Sequence, residues 1–553
     1  MSTTESALEK ILEGLDPEQR EAVTAIKGSV CIIAGAGTGK TRVITHRIAY
    51  AIASGVTDQN KVLALTFTAR AAGEMRSRLR ALGVPSVTAR TFHAAALKQL
   101  MYFWPYSIGG TFPKLLTTKA SFLSEAMERA GTYLSPGAIT LREVSTEIEW
   151  AKSQECSPED YVEEAIAAGR SLRGVGGKGE RENLGEVAKI YDAYEVFKRQ
   201  ERVIDFEDVL LLTIGMLEED RGVRERVRDQ YRYFTVDEYQ DVSPLQQRLL
   251  NLWLGNRDDL CVVGDAAQTI YSFAGATSSF LLAFGSRFPD AKVVRLSRGY
   301  RSTPEIITIA NKVITAAQSH GDHELVSMNE HGKALEFNRH ETAQHEAERI
   351  AQRILELAQS VELSEIAILT RTNSQLDLIE SVLRSRGIDF QLKSSERFFD
   401  RNDVRDVMRI IRSASVIPND PDNWYSDLES VLRPFGDADY VRAILRHGKN
   451  LQESGTPSLR AFLRELEDRA EQNNPPTLPG VVLSTLHAAK GLEWSHVFLA
   501  GVNEGLIPMN GAGGQSLEEE RRLFYVGLTR AKSQIHLSTS GEPSSFLRNL
   551  SLL

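Results

Sequence analysis

Apolar residues along this chain follow two patterns. Short β-branched runs alternate with longer segments whose apolar positions recur three and four apart, as on one face of a helix. The first such unit, SVCIIAGAGTGKTRVITHRIAYAIA from Ser29, predicts strand, glycine-rich turn and helix. Further buried strands are expected at VLALTF (62–67), VTART (87–91), YFTVDE (233–238) and LCVVGD (260–265), with helical patterns between several of them. Alternation of this kind predicts a parallel sheet covered by helices on both faces.

From about 115 to 205 the texture changes to helical periodicity with many charges, interrupted by the glycine-rich loop GRSLRGVGGKGE (169–180). Strand-like runs return at VVRL, ALEFNRH, IAILT, VVLSTLH, HVFLA and IHLST between 293 and 539, separated by helical stretches such as TAQHEAERIAQRILELAQ. A second α/β domain follows, with its own helical, polar interruption before NNPPTLPG (473–480), which reads as a linker or hinge. The expected organisation is a first α/β domain at 1–114 and 206–290, interrupted by a helical insertion at 115–205. The second spans 291–399 and 476–553, interrupted by a short helical insertion at 400–475.

Composition agrees with a folded, multidomain chain: 553 residues, 42% hydrophobic and 25% charged. The net charge of -9 excludes a globally basic binder but not a local basic groove. Cys31, Cys156 and Cys261 lack metal-ligand or disulfide-framework spacing, which fits a reducing cytoplasm. The acidic, polar start is unlike a signal peptide. The charge-free stretch Ala266 to Ser286 carries Gln268, Thr269, Ser272, Thr277, Ser278 and Ser279, so it is read as part of a soluble domain.

The chemistry begins at AGAGTGKT, residues Ala34, Gly35, Ala36, Gly37, Thr38, Gly39, Lys40 and Thr41. It fits a phosphate loop except for alanine at the first glycine. The glycines let backbone N–H groups face phosphate oxygens, Lys40 reaches the terminal phosphates, and Thr41 ligates magnesium. A carboxylate at a neighbouring strand end completes such a site. YFTVDE supplies Asp237 for the metal and Glu238 to orient or deprotonate the attacking water. After the next strand, Asp265 and Gln268 follow a buried run, and Gln268 is placed to sense the γ-phosphate.

With these residues in place, the chain resembles superfamily 1 DNA helicases of the UvrD/Rep/PcrA type over nearly its whole length. The motifs LDPEQREAV (15–23), TFTARAAGEMRSRL (66–79), TFHAAA (91–96), GDAAQTIYSFAGA, SRGYRST, TLHAAKGLEW and EEERRLFYVGLTRAK follow in that family's order. The resemblance implies two RecA-like, parallel-sheet motor domains, each carrying a mainly helical insertion, with ATP held by parts of both. Asp16 and Pro17 would open a helix that presents Gln19 to adenine. Arg42 and Tyr300 match residues that sandwich the base, and Glu493 matches the ribose-binding carboxylate. Arg301 and Arg530 match the arginines that neutralise the transferring phosphoryl group, a role worth about a thousand- to a hundred-thousand-fold in rate.

The same resemblance places Phe67, Phe92, His93, Tyr271, Phe273, His487, Lys490 and Trp494 along a single DNA strand. Burial in the core is the competing fate of each aromatic, and Arg70, Arg76 and Arg78 fit either a phosphate track or a solvated helix face. Ala274 stands where relatives commonly carry arginine, Gly299 where they carry asparagine, and Tyr239 where they carry phenylalanine. The expected activity is ATP- and magnesium-dependent 3′ to 5′ movement on single-stranded DNA with duplex unwinding, acting at single-strand/duplex junctions in repair or replication. Expected partners besides DNA are repair proteins. The short second insertion leaves open a translocase that strips proteins without unwinding, and the end of the chain at SSFLRNLSLL is unlike a helicase-nuclease fusion. A DNA-binding assembly factor switched by ATP is the rival from another class.

Overall fold

The computed structural model describes residues 3–550 apart from 117, 136, 173–178, 317–323, 334, 394–397, 416–423, 437, 455, 457, 472–475 and 477–479. The core of the glycine-rich loop and most of the hinge signal NNPPTLPG therefore lie outside the described residues. The chain divides into two compact units, Met1–Ala34 with Gly39–Leu296, and Ser297–Leu553 with the four residues Gly35–Thr38.

The first unit is built on β1 (Val30–Ala34), β2 (Val62–Thr66) and β3 (Thr88–Thr91), with β4 (Lys114–Leu115) and β5 (Val203–Ile204) pairing at the root of the insertion. β6 (Tyr233–Val236), β7 (Leu260–Gly264) and β8 (Lys292–Leu296) complete its main sheet. The order is β3-β2-β6-β7-β1-β8, and every pairing is parallel. Central strands are buried on both faces, as their unbroken β-branched runs require. One face packs the cluster of Phe92, Leu210, Trp253 and Phe284, the other that of Val43, Ile48, Met75 and Leu79. The helices Ala120–Ala130, Ala138–Ser153, Tyr161–Ala167 and Glu180–Glu201 form the insertion around a separate core that includes Tyr161, Leu184 and Tyr194.

The second unit opens on a short parallel pair, β9 (Arg298–Gly299) and β10 (Val326–Ser327). Its sheet consists of β11 (Glu336–Arg339), β12 (Ile366–Thr370), β13 (Phe390–Lys393), β14 (Val481–Thr485), β15 (Trp494–Leu499) and β16 (Ala531–Thr539). The order is β11-β16-β15-β12-β14-β13, again all parallel. Two RecA-like motor domains, each interrupted by helices, are thus present. The second insertion comprises Asn402–Ala414, Trp424–Leu432, Asp439–Glu453 and Leu459–Glu471, packed around Trp424, Leu428 and Phe462.

One expected boundary moves. VVRL lies in β8, which pairs with β1 and completes the first sheet, so that sheet ends at Leu296 and not at 290. β8 is an edge strand with Val294 and Leu296 inward and Val293 and Arg295 outward. An alternating pattern fixes which side chains point inward, not which sheet the strand joins.

Candidate nucleotide and nucleic-acid site

β1 ends at buried Ala34, and the helix Lys40–Ala53 starts six residues later. Gly37 and Gly39 take left-handed φ values of 75° and 85°, which glycine holds without strain. At Gly39 a Cβ would also come within 2.9 Å of Gln19 Nε2. Thr38 Oγ1 donates to the Gly35 carbonyl at 3.0 Å and braces the turn. No side chain caps this helix, so its first N–H groups remain available to an anion. Lys40 Nζ is buried without a hydrogen-bond partner, 3.9 Å from Glu238 Oε1. An unsatisfied ammonium beside a helix N-terminus is the chemistry that fits terminal phosphates.

Gln19, expected to face adenine, is buried. Asp16 and Gln19 form a reciprocal capping box on the helix Pro17–Thr24, with Gln19 N–H donating to Asp16 Oδ1 at 2.8 Å. Arg42 is exposed on the phosphate-loop helix, Nη2 lying 3.5 Å from the Glu13 carbonyl.

β6 delivers Asp237 and Glu238 at its carboxyl end. Burial, and then the adjacent Glu238 carboxylate, raise Asp237 to about 7. Two carboxylates crowded in a buried place favour a divalent cation, so the residues present fit magnesium. Glu238 sits at φ 53°, a strained conformation for a side-chain-bearing residue. Its carboxylate is steered by Gln240, whose Nε2 donates to Oε2 at 2.6 Å. Gln240 Oε1 in turn accepts the Asp265 N–H at 3.0 Å, and Asp265 Oδ2 accepts from Gln268 Nε2 at 2.7 Å. A continuous polar chain thus joins Glu238 to Gln268. Gln240 was not singled out from sequence; the signal was its place two residues beyond the Asp-Glu pair. Tyr239 fills the core, its hydroxyl donating to Gln247 Oε1 at 2.6 Å, so a phenol is accommodated there.

Beyond Gln268 the chain turns into an aromatic surface. Phe67 and Tyr271 stack with centroids 5.1 Å apart, and Tyr271 meets Phe273 edge-on at 6.1 Å. Phe67 is 41% and Phe273 45% exposed, far more than core aromatics. His93 packs edge-on against Phe206. Burial, then the positive charge of Lys119, lower it to about 4, so near neutrality it offers a neutral imidazole.

Phe92 is a correction. It is 4% exposed and stacked on Trp253, so its ring belongs to the core and offers no face to a base. Arg76 donates to the Ala89 carbonyl at 2.8 Å and Arg78 pairs with Glu74, which gives both local structural work; Arg70 is exposed.

In the second unit, Arg301 Nε donates to Glu493 Oε2 at 2.6 Å, with Lys532 3.8 Å from the other Glu493 oxygen. The residues matched to phosphoryl and ribose therefore hold each other. Arg530 is 2% exposed. Its Nε and Nη1 donate to the carbonyls of Val526 and Leu492, and its Nη2 to Thr529 Oγ1. Tyr300 is exposed. Gly299 lies in β9, where a Cβ would make ordinary contacts, so the structure does not demand glycine.

His487 is lowered to about 4 by burial and then by Arg371 and Lys490, which places these three close together. Arg371 was missed in the sequence. It follows β12 and is clamped by Glu520 through Nη2 at 2.7 Å and Nε at 3.1 Å. Trp494 is the second correction: at 5% exposure, as the first residue of β15, it is a core side chain and not a stacking platform.

Known proteins supply the frame for this geometry. The UvrD/REP helicase N-terminal domain model matches residues 15–289, and the UvrD-like helicase C-terminal domain model matches 294–426 and 439–542. The chain is similar to the ATP-dependent DNA helicase UvrD2 of Mycobacterium bovis, 43% identical over 590 residues, covering 98% of this chain and 82% of that protein. The Mycobacterium tuberculosis UvrD2 gives the same values. The ATP-dependent DNA helicase PcrA of Bacillus subtilis is 28% identical over 630 residues, covering 96% and 83%. Matched along almost all of its length in both halves, the chain belongs to the UvrD/REP helicase family.

Proposed function

We propose that this protein is an ATP-dependent DNA helicase that moves 3′ to 5′ on single-stranded DNA and serves DNA repair or replication. The observation that carries the reading is the polar chain Glu238–Gln240–Asp265–Gln268, which runs from the phosphate site to Gln268, three residues before Tyr271 in the aromatic group of Phe67, Tyr271 and Phe273. A change at the triphosphate and a change in strand grip then involve one connected set of residues.

In this reading Lys40 and the helix N-terminus hold the terminal phosphates, while Thr41 and Asp237 hold magnesium. Magnesium held by these residues would supply charge neutralisation to the triphosphate. Glu238 accepts the proton of the attacking water, and Gln240 keeps its carboxylate aimed. Arg301 and Arg530 neutralise charge on the transferring group, exchanging their present partners for phosphate oxygens. Base stacking on the aromatics, worth about 1 to 3 kcal/mol per base, holds any sequence without reading it.

ATP turnover measured with and without single-stranded DNA tests the motor, with Lys40→Ala as the control. Strong stimulation is expected, and a rate indifferent to DNA would sink the proposal in favour of an ATP-switched assembly factor. Strand displacement on matched 3′- and 5′-tailed duplexes tests direction. Release from the 3′-tailed substrate alone is expected; stimulated ATPase with no release from either identifies a translocase without unwinding.

A further inference from the structure

The turn that presents Phe273 is held by the helical insertion. Ser272–Ala274 form a single short helical turn, and Ala274 has no polar side chain with which to fasten it. Two carbonyls of the turn are instead taken by the insertion. Arg170 Nη2 donates to the Phe273 carbonyl at 3.2 Å, and Gln154 Nε2 donates to the Gly275 carbonyl at 3.1 Å. Contact is so close at Gly275 that a Cβ would lie 1.8 Å from Ser153 Oγ, at a φ of 91°.

Arg170 is itself immobilised. Its Nε and Nη2 each donate to a separate oxygen of Glu147 at 2.8 Å, forming a planar two-point pair. Glu147 also accepts from the Tyr161 hydroxyl at 2.7 Å, and the Arg170 guanidinium lies over the Trp150 ring, 4.4 Å from its centroid. Glu147 and Tyr161 are buried. A guanidinium fixed along its Nε/Nη2 edge and over one face points the second N–H of Nη2 in a set direction, and that direction is the Phe273 carbonyl.

We propose that Arg170 is a positioning residue for DNA engagement: from the helical insertion it sets the pose in which Phe273 meets a base, supplying the tie that Ala274 cannot. The proposal rests on the reading of Phe273 as a strand contact. Arg170 touches neither nucleotide nor DNA in this scheme, so its loss acts only through the turn.

The test is a double-mutant cycle on the full chain, with affinity for a fluorescein-labelled oligo-dT measured by anisotropy at fixed salt. Arg170→Lys keeps a positive charge beside buried Glu147 but cannot reach both Glu147 oxygens and the carbonyl. Expected is an affinity loss of about tenfold, within the range for a disturbed stack, with DNA-free ATPase unchanged. In a Phe273→Ala background the same substitution should cost nothing further. Gln154→Ala, which removes the second carbonyl donor, should show the same pattern in weaker form and serves if Arg170→Lys folds poorly.

Losses that simply add, or an unchanged affinity in both Arg170→Lys and Gln154→Ala while Phe273→Ala binds weakly, overturn the positioning role and leave the DNA reading standing. If Phe273→Ala alone leaves affinity unchanged, the strand-contact reading of Phe273 falls, and the positioning role falls with it.

Discussion

Both helical insertions pack around an apolar core, but the first adds a buried cluster of charges at its root. At the root of the first, Lys152 and Lys198 are buried among Asp205, Asp208 and Glu195, with Lys152 Nζ 2.8 Å and Lys198 Nζ 3.0 Å from Asp205 oxygens. Lys119 adds pairs to Glu149 and Glu207 at 2.8 and 2.7 Å. The second insertion closes on an apolar centre, where Trp424 stacks on Phe462 at 5.3 Å, and ion pairs such as Arg412–Glu467 lie outside in solvent. Apolar contact is non-directional and tolerates sliding. Buried ion pairs tolerate neither sliding nor the loss of a member. The difference matches position: the charged root joins the helix that follows it, through the Asp205–Asp208 capping box, to a unit whose loops carry the chemistry.

The sharpest way to break this contrast is Asp205→Asn, which takes away the most deeply buried of the three carboxylates that Lys152 and Lys198 share. A local loss of about 3 to 5 kcal/mol is expected, read as faster amide exchange along Ala138–Ser153 and Glu180–Glu201. Burial pushes the Asp205 carboxyl up, but Lys152, Lys198 and Lys119 outweigh it and hold the group well below the usual carboxylate range. A depressed folded value means its stabilisation is fully present above the unfolded value near about 3.9 and is lost as pH falls below that. The parent should therefore weaken as acid is added in that window, and the Asn variant should show a flatter acid limb.

Trp424→Ala should cost a comparable or slightly smaller amount, about 3 to 4 kcal/mol, by opening a cavity beside Phe462. Its exchange signature should stay within Asn402–Glu471. Added salt should barely alter the behaviour of either variant, because both sites are shielded from solvent ions. The smallest effect belongs to Arg412→Ala, about 0 to 1 kcal/mol and vanishing at high salt, as for any solvated pair. A large loss there would mean that the second insertion depends on charge as much as the first.

Local grammar made much of this molecule readable in advance. Asp16, Pro17 and Gln19 announce a capped helix because a cap acts over three residues. The sequence from Ala34 to Thr41 announces a phosphate loop because its glycines and Lys40 are contiguous. The capped helix and the glycine-rich turn leading into a helix at Lys40 are found where they were expected. Depth was harder to read. Phe67 and Phe92 each follow a threonine at a strand end, yet one is exposed and the other stacks on Trp253, a residue 161 positions away in sequence. Trp494 was misjudged for the same reason. FQLK at 390–393 is too short and mixed to stand out as a strand, although it closes one edge of the second sheet. Gln240, Arg371 and Arg170 acquire meaning only from the groups they touch, and two of those three contacts span more than a hundred residues.

The backbone at Glu238 leads to one further consequence. Glycine would occupy that left-handed position without penalty, whereas glutamate bears about 1 to 2 kcal/mol of steric opposition there. Screening for heat-tolerant variants should therefore favour Glu238→Gly, a chain that melts later and turns over nothing. On the proposed role of Glu238 as base, durability and turnover compete at this residue, and the native side chain sides with turnover.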